Sequence, residues 1–100
     1  MTTTIKKQEG RWVAAFQGRL DTAASAQAEQ DMRPLFECME PEIVLDCTHL
    51  EYISSSGLRL FLGLLKSTKP KGIQLFITGM NKDLMQVFSM TGFTSLFQFK

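Results

Sequence analysis

The stretch that decides the fold prediction runs from Ile43 to Leu65 and reads IVLDCTHLEYISSSGLRLFLGLL. Its first five residues, 43–47, are mostly apolar and include two β-branched side chains, as in a buried β-strand. A polar loop follows, and it ends in three consecutive serines and a glycine. From Leu58 onward, apolar side chains recur three and four positions apart, as on the buried face of a helix. The stretch predicts a strand, a loop and a helix, in that order.

The serines Ser54, Ser55 and Ser56 lie where the predicted helix begins. The first backbone N–H groups of a helix have no partner within the helix, so a serine oxygen can accept a hydrogen bond from one of them. The helix dipole also favours an anion at this place. A serine here is therefore either an ordinary helix cap or a site that tolerates a phosphate.

The rest of the chain predicts strands that alternate with helices, in the order β-β-α-β-α-β-α with a short final strand as an option. A helix over residues 22–39, capped by Asp21 or Thr22, should kink or break at Pro34, which removes one helical hydrogen bond. Asn81 should cap the last helix, and Thr91-Gly92 should end it. The other strands are predicted at residues 5–9, 11–17 and 73–78. This order implies right-handed crossovers and a parallel or mixed sheet.

The composition is that of an ordinary soluble domain of 100 residues, with 44% apolar and 21% charged residues. A net charge of +1 gives no overall attraction to nucleic acid or to acidic membranes. The longest apolar run, residues 58–65, is far shorter than the ~20 residues needed to span a bilayer. Cys38 and Cys47 are the only cysteines and no secretory signal is visible, so we expect a reducing compartment and residence in the cytoplasm.

Few residues have the spacing of a catalytic or metal site. Cys47 and His49 lie two positions apart at a strand end and should point the same way, but no third ligand or orienting acid has suitable spacing. We expect no catalytic residues, no metal and no cofactor, and we do not expect an enzyme. The methionines at positions 32, 39, 80, 85 and 90 are interpreted as core filling.

Three segments resemble a known family. Residues 46–58, from Asp46 to Leu58, resemble the signature of the STAS domain, which is found in anti-anti-sigma factors and at the C-terminal end of sulfate transporters. Gly18-Arg19-Leu20-Asp21 is similar to the family's Gly-Glu-Leu-Asp, and Met90-Thr91-Gly92-Phe93 to its closing Leu-Thr-Gly-Leu. The resemblance implies one STAS-like α/β domain over residues 1–100. Its sheet would be mixed, mostly parallel and four- to five-stranded, with helices mainly on one face.

The resemblance also implies a function, that of a bacterial anti-sigma factor antagonist. In such proteins the serine after the motif's aspartate is phosphorylated by an anti-sigma factor that is also a serine kinase, and a phosphatase resets it. That position is Ser55 here. The unphosphorylated domain would bind the kinase and free the sigma factor. The resemblance places partner binding at Asp21, Ser54, Ser55, Ser56, Gly57 and Leu58, with Tyr52 as a further apolar anchor if it is exposed.

One position departs from the signature, because Ser54 stands where aspartate is usual. Ser54 and Ser56 therefore remain alternative phosphoacceptors. Asp21 has two possible roles, either as a helix cap alone or also in partner recognition. The alternative function is an accessory subunit of a lipid-transport ATPase, which binds without obligatory phosphorylation. In either case we expect a protein partner, a monomer or weak dimer, no nucleic acid and no membrane insertion.

Overall fold

A computed structural model describes all residues from Met1 to Lys100 and contains five strands and four α-helices. The strands are β1 Thr2–Gln8, β2 Arg11–Leu20, β3 Glu42–Ile53, β4 Gln74–Thr78 and β5 Gln98–Phe99, and the helices are α1 Thr22–Asp31, α2 Arg33–Glu37, α3 Ser55–Thr68 and α4 Lys82–Met90. The predicted order is confirmed, including the short final strand. The break predicted at Pro34 divides the first helix into α1 and α2, and Pro34 lies in the first turn of α2.

The strands form one sheet in the order β1-β2-β3-β4-β5. β1 and β2 are antiparallel, and every later pair is parallel. Residues that lie side by side on β2, β3 and β4 form rows across the sheet, and two of these rows belong to the core shared with the helices: Trp12-Ile43-Leu75 and Ala14-Leu45-Ile77. The predicted mixed, mostly parallel sheet is confirmed.

α3 supplies the largest helical share of the core, as its apolar spacing predicted. Phe61 and Leu64 are fully buried, and Leu58, Leu60 and Leu65 are nearly so. The ring of Phe61 lies between Phe16 of β2 and Phe88 of α4, with centroid distances of 5.3 and 6.4 Å. None of the helices has both the length and the hydrophobicity to cross a bilayer.

β3 is longer than the sequence predicted, because the residues expected to form a loop after Cys47 continue the strand to Ile53. The pairing of β2 with β3 slips twice, and each slip leaves one extra residue on β3. The residues of β3 that belong to the core shared with the helices are consequently two apart at first and then three apart, at positions 43, 45, 47, 50 and 53. These β-bulges disrupt the alternation that identifies a strand in a sequence.

The interpretation of the methionines as core filling is wrong for two of them. Met32 is fully buried between α1 and α2, but Met39 and Met90 are 77% and 79% exposed. Met39 lies beyond the end of α2, where the chain crosses to β3. Met90 is the last residue of α4 and lies on the side of the helix opposite the buried Leu84 and Phe88.

Candidate functional site

Three helices begin along one edge of the sheet. The parallel strands β2, β3 and β4 end at this edge, and α1, α3 and α4 follow them directly or after a short loop. Each helix has a polar N-cap, namely Asp21, Ser54 or Asn81. The cap oxygen accepts a hydrogen bond from the backbone N–H three residues later, at 2.8 Å for Asp21, 3.2 Å for Ser54 and 2.8 Å for Asn81. The caps predicted at Asp21 and Asn81 are confirmed.

Ser54 is a buried cap and is only 8% exposed. Its backbone N–H donates to the carbonyl of Leu20 at 2.9 Å, and its own carbonyl accepts from the N–H of Leu58 at 2.9 Å. Its hydroxyl accepts from Gly57 at the start of α3. Ser54 thus holds the beginning of α3 against the end of β2, next to Asp21, and a phosphate on its hydroxyl would have to displace this cap.

Ser55 is the first residue of α3, and its side chain is exposed. Ser56, the next residue, is half-buried. Neither hydroxyl forms a hydrogen bond within the chain, whereas the hydroxyl of Ser54 does. The hydroxyl of Ser55 therefore lies at the surface beside a helix start, where another protein can reach it.

Gly57 and Leu58 lie beneath these serines. A Cβ atom on Gly57 would come within 2.8 Å of Ile53 Cγ1 and 2.9 Å of Leu20 Cγ, so glycine allows α3 to approach the two strands closely. Leu58 is 5% exposed and belongs to the core. The expectation that a partner contacts Gly57 and Leu58 directly does not fit this burial. Both residues, like Ser54, instead support the exposed Ser55 from below.

Two further side chains lie at the ends of β2 and β3, two residues before the caps Asp21 and Ser54. Arg19 and Tyr52 are paired across these strands, and the guanidinium carbon of Arg19 lies 4.3 Å from the centroid of the Tyr52 ring. Tyr52 is 40% exposed, and Asp21 is half-buried. We use the name serine surface for the exposed and half-buried residues at the ends of β2 and β3 and at the start of α3; they are Arg19, Asp21, Tyr52, Ser55 and Ser56. The sequence alone did not identify Arg19, because its cation–π contact depends on the pairing of β2 with β3, which a local pattern does not record.

The arrangement has counterparts among known proteins. The family model for the STAS domain matches residues 2–100. The chain belongs to the STAS domain family. The resemblance found in the three sequence segments is therefore confirmed over nearly the whole chain.

One relative of this STAS domain is BtrV of Bordetella bronchiseptica, whose name proposes that it is an anti-sigma factor antagonist. It is 32% identical over 97 residues, which cover 97% of this chain and 84% of BtrV. The structure of an anti-sigma factor antagonist from Mycobacterium paratuberculosis matches with a TM-score of 0.88 at 18% identity, covering 98% of this chain and 83% of that one. The phosphorylated form of the Bacillus cell fate determinant SpoIIAA matches with a TM-score of 0.76 at 18% identity, covering 99% and 91%. These two structures share the fold of this STAS domain.

Cys47 and His49 of this STAS domain do not face the same way, contrary to the sequence prediction. A β-bulge lies between the paired positions Ala15–Asp46 and Gln17–His49, so the usual alternation fails there. Cys47 is completely buried, whereas His49 is exposed. Burial raises the pKa of the Cys47 thiol from 9.0 to about 12, and the nearby carboxylate of Asp46 acts in the same direction. The two side chains therefore do not form a thiol–imidazole pair.

The raised pKa of Cys47 predicts slow thiol chemistry. At pH 8 its thiolate fraction should be about a thousandfold below that of an ordinary thiol, because the pKa is higher by roughly three. In a Cys38→Ser variant, which leaves one thiol, we expect the reaction with a disulfide reagent to be at least about 100-fold slower in the native state than in urea. A native rate within tenfold of the unfolded rate would contradict this prediction.

Proposed function

We propose that this STAS domain is a cytoplasmic anti-sigma factor antagonist whose binding to its anti-sigma factor is controlled by phosphorylation of Ser55. The observation that carries the proposal is the exposed, unbonded hydroxyl of Ser55 on the first turn of α3, supported by a buried cap and a buried glycine. The name of BtrV supports the antagonist role, and the phosphorylated form of SpoIIAA supports control by phosphorylation in a protein of this fold. The partner would be an anti-sigma factor with serine kinase activity, and a phosphatase would reverse the modification.

The switch would act at the interface and not by unfolding the domain. A phosphate adds about −1.5 to −2 charges at pH 7. On Ser55 it would lie beside the free backbone N–H groups of α3 and the positive end of the helix dipole, so the folded domain tolerates it. A partner that packs closely against the serine surface, or presents apolar or acidic groups to it, would lose affinity. The half-buried carboxylate of Asp21 adds to the negative charge there.

Substitutions at Ser55 test the proposed switch. Ser55→Ala should keep the affinity for the anti-sigma factor, because an exposed hydroxyl without partners is removed. Ser55→Glu should weaken binding about tenfold, or by about 1.4 kcal/mol, because it introduces a charge into the interface. Isothermal titration calorimetry with the purified anti-sigma factor measures both.

Ser89→Glu is the matched control, because Ser89 is an exposed serine of α4 and lies outside the serine surface. It should bind like the unmodified chain. Equal affinities of Ser55→Ala and Ser55→Glu would remove phosphorylation of Ser55 from the proposal. After incubation of the domain with the anti-sigma factor and ATP, mass spectrometry should find the phosphate on Ser55. A phosphate on Ser56 instead would show that the proposal names the wrong serine.

The identity of the captured partner tests the antagonist role itself. Affinity purification from the native cell should recover a soluble protein with a kinase-type ATPase domain that binds a sigma factor. Recovery of a membrane-bound lipid transporter in its place would favour the accessory-subunit alternative and would contradict the proposed role.

A further inference from the structure

Arg59 is an exposed cation on α3, one turn after Ser55. Of the other three arginines, Arg11 forms a salt bridge with Glu42 and Arg19 stacks on Tyr52, whereas Arg33, on α2, has no such partner. The guanidinium of Arg59 forms no salt bridge, hydrogen bond or ring contact within the chain. Its five N–H donors are therefore available to an anion.

The spacing of Ser55 and Arg59 places them on the same side of α3. Residues four apart on a helix have Cβ atoms about 5–6 Å apart, and an anion that precedes a cation by four residues is the favourable order. A groove of about 330 Å³ between α1 and α3 is lined by Arg59, Ser56 and Glu29, among others. Glu29 is the acidic side chain of this groove, and it forms no salt bridge with Arg59. The guanidinium is thus free to turn towards Ser55.

We propose that Arg59 is the intramolecular partner of a phosphate on Ser55. A guanidinium can donate two parallel hydrogen bonds to a phosphate, and such charge-assisted bonds are stronger than neutral ones. The pair would draw the phosphate along α3 towards the groove and would fix its position on the surface. This inference rests on Ser55 as the modified residue, as proposed above, and adds a second residue to the switch.

The test uses the full chain with phosphoserine incorporated at position 55 during translation, so that no kinase is needed. The second pKa of the phosphate, ordinarily about 6, is followed by ³¹P NMR in this protein and in its Arg59→Gln variant. Because Arg59 would stabilise the doubly charged phosphate, its removal should raise this pKa by about 0.3 or more. The α3 backbone, Asp21 and Glu29 are the same in both proteins, so the difference isolates Arg59.

Three further variants keep the test specific. Lys66→Gln removes an exposed cation of α3 about three turns away, and it should leave the phosphate pKa unchanged. Arg59→Lys keeps the charge but not the planar fork, so its phosphate pKa should lie between those of the parent and Arg59→Gln. Arg19→Gln should change the pKa less than Arg59→Gln does.

An unchanged pKa in Arg59→Gln, or a larger rise in Arg19→Gln, would overturn this inference. Neither result would contradict the proposed function, because the phosphate in this experiment is introduced without the kinase. Conversely, an unmodified Ser55 in the partner and ATP experiment would contradict the proposed function and leave the measured Arg59–phosphate contact standing.

Discussion

Gly79→Ala is expected to lower the free energy of unfolding by about 3 kcal/mol. Gly79 follows β4 with φ +74°, a left-handed conformation that costs an alanine about 1 kcal/mol or more. An added Cβ would also lie 2.7 Å from both the Cα and the N of Thr48, and these backbone atoms belong to β3. Relieving that overlap requires a backbone shift, which typically costs about 1–3 kcal/mol. Denaturation in urea measures the total loss of unfolding free energy from both effects.

Gly72→Ala is the matched control for this substitution. Gly72 has nearly the same φ, +72°, but nothing lies within 4 Å of the position that a Cβ would take. Its replacement should cost about 1 kcal/mol, the conformational part alone. If both variants unfold at the same urea concentration, the close approach of Gly79 to Thr48 contributes nothing.

The contact at Gly79 matters for the serine surface because Thr48 lies in the bulged half of β3. The N–H and the hydroxyl of Thr48 donate to Oδ1 of Asp46 at 3.0 and 2.5 Å. Gly79 packs against the same residue, with the position of a Cβ nearest to the Thr48 hydroxyl. Together, these contacts fix the part of β3 that leads to Ser54.

Phe88→Ala is expected to have a similar or larger effect, about 3–5 kcal/mol, because it leaves a large cavity in the core. Phe88 of α4 is fully buried. Its ring lies 5.8–6.4 Å from the centroids of four other rings, which are Phe61, Phe93, Phe97 and Phe99. The cavity would loosen β5 and the turn before it, so the amide protons of residues 93–99 should exchange faster.

Phe93→Ala serves as its control. Phe93 contacts Phe88 and Phe97 but is only partly buried, so its removal opens the surface and leaves no enclosed cavity. We expect a distinctly smaller loss of stability, measured by the same urea titration. A loss as large as that of Phe88→Ala would show that Phe88 is not the centre of this cluster.

The sequence predicted those parts of the fold that depend on local chemistry. The caps Asp21 and Asn81, the break at Pro34 and the apolar spacing of α3 each follow from neighbouring residues, and the structure has all three. The predicted end of β3 was wrong because β-bulges depend on the pairing of β3 with β2, which no local sequence pattern records. The same bulge explains the failed prediction for Cys47 and His49.

The site was predictable in position but not in the roles of its residues. The signature placed the serines at a helix start, where the structure has them. Which of the residues face solvent depends on how closely α3 approaches β2 and β3. Gly57 allows that approach through a contact with Leu20, which is 37 positions earlier in the sequence and cannot be paired with it by inspection.

The packing beneath Ser55 sets a condition on any signalling that uses it. Ser54, Gly57 and Leu58 are buried, so the exposed hydroxyl rests on a support with little freedom to rearrange. The anti-sigma factor that phosphorylates Ser55 and the phosphatase that reverses this modification would have to bind the same small and rigid area of the surface. The two proteins would exclude one another, and the fraction of time for which each is bound would follow from its abundance and affinity.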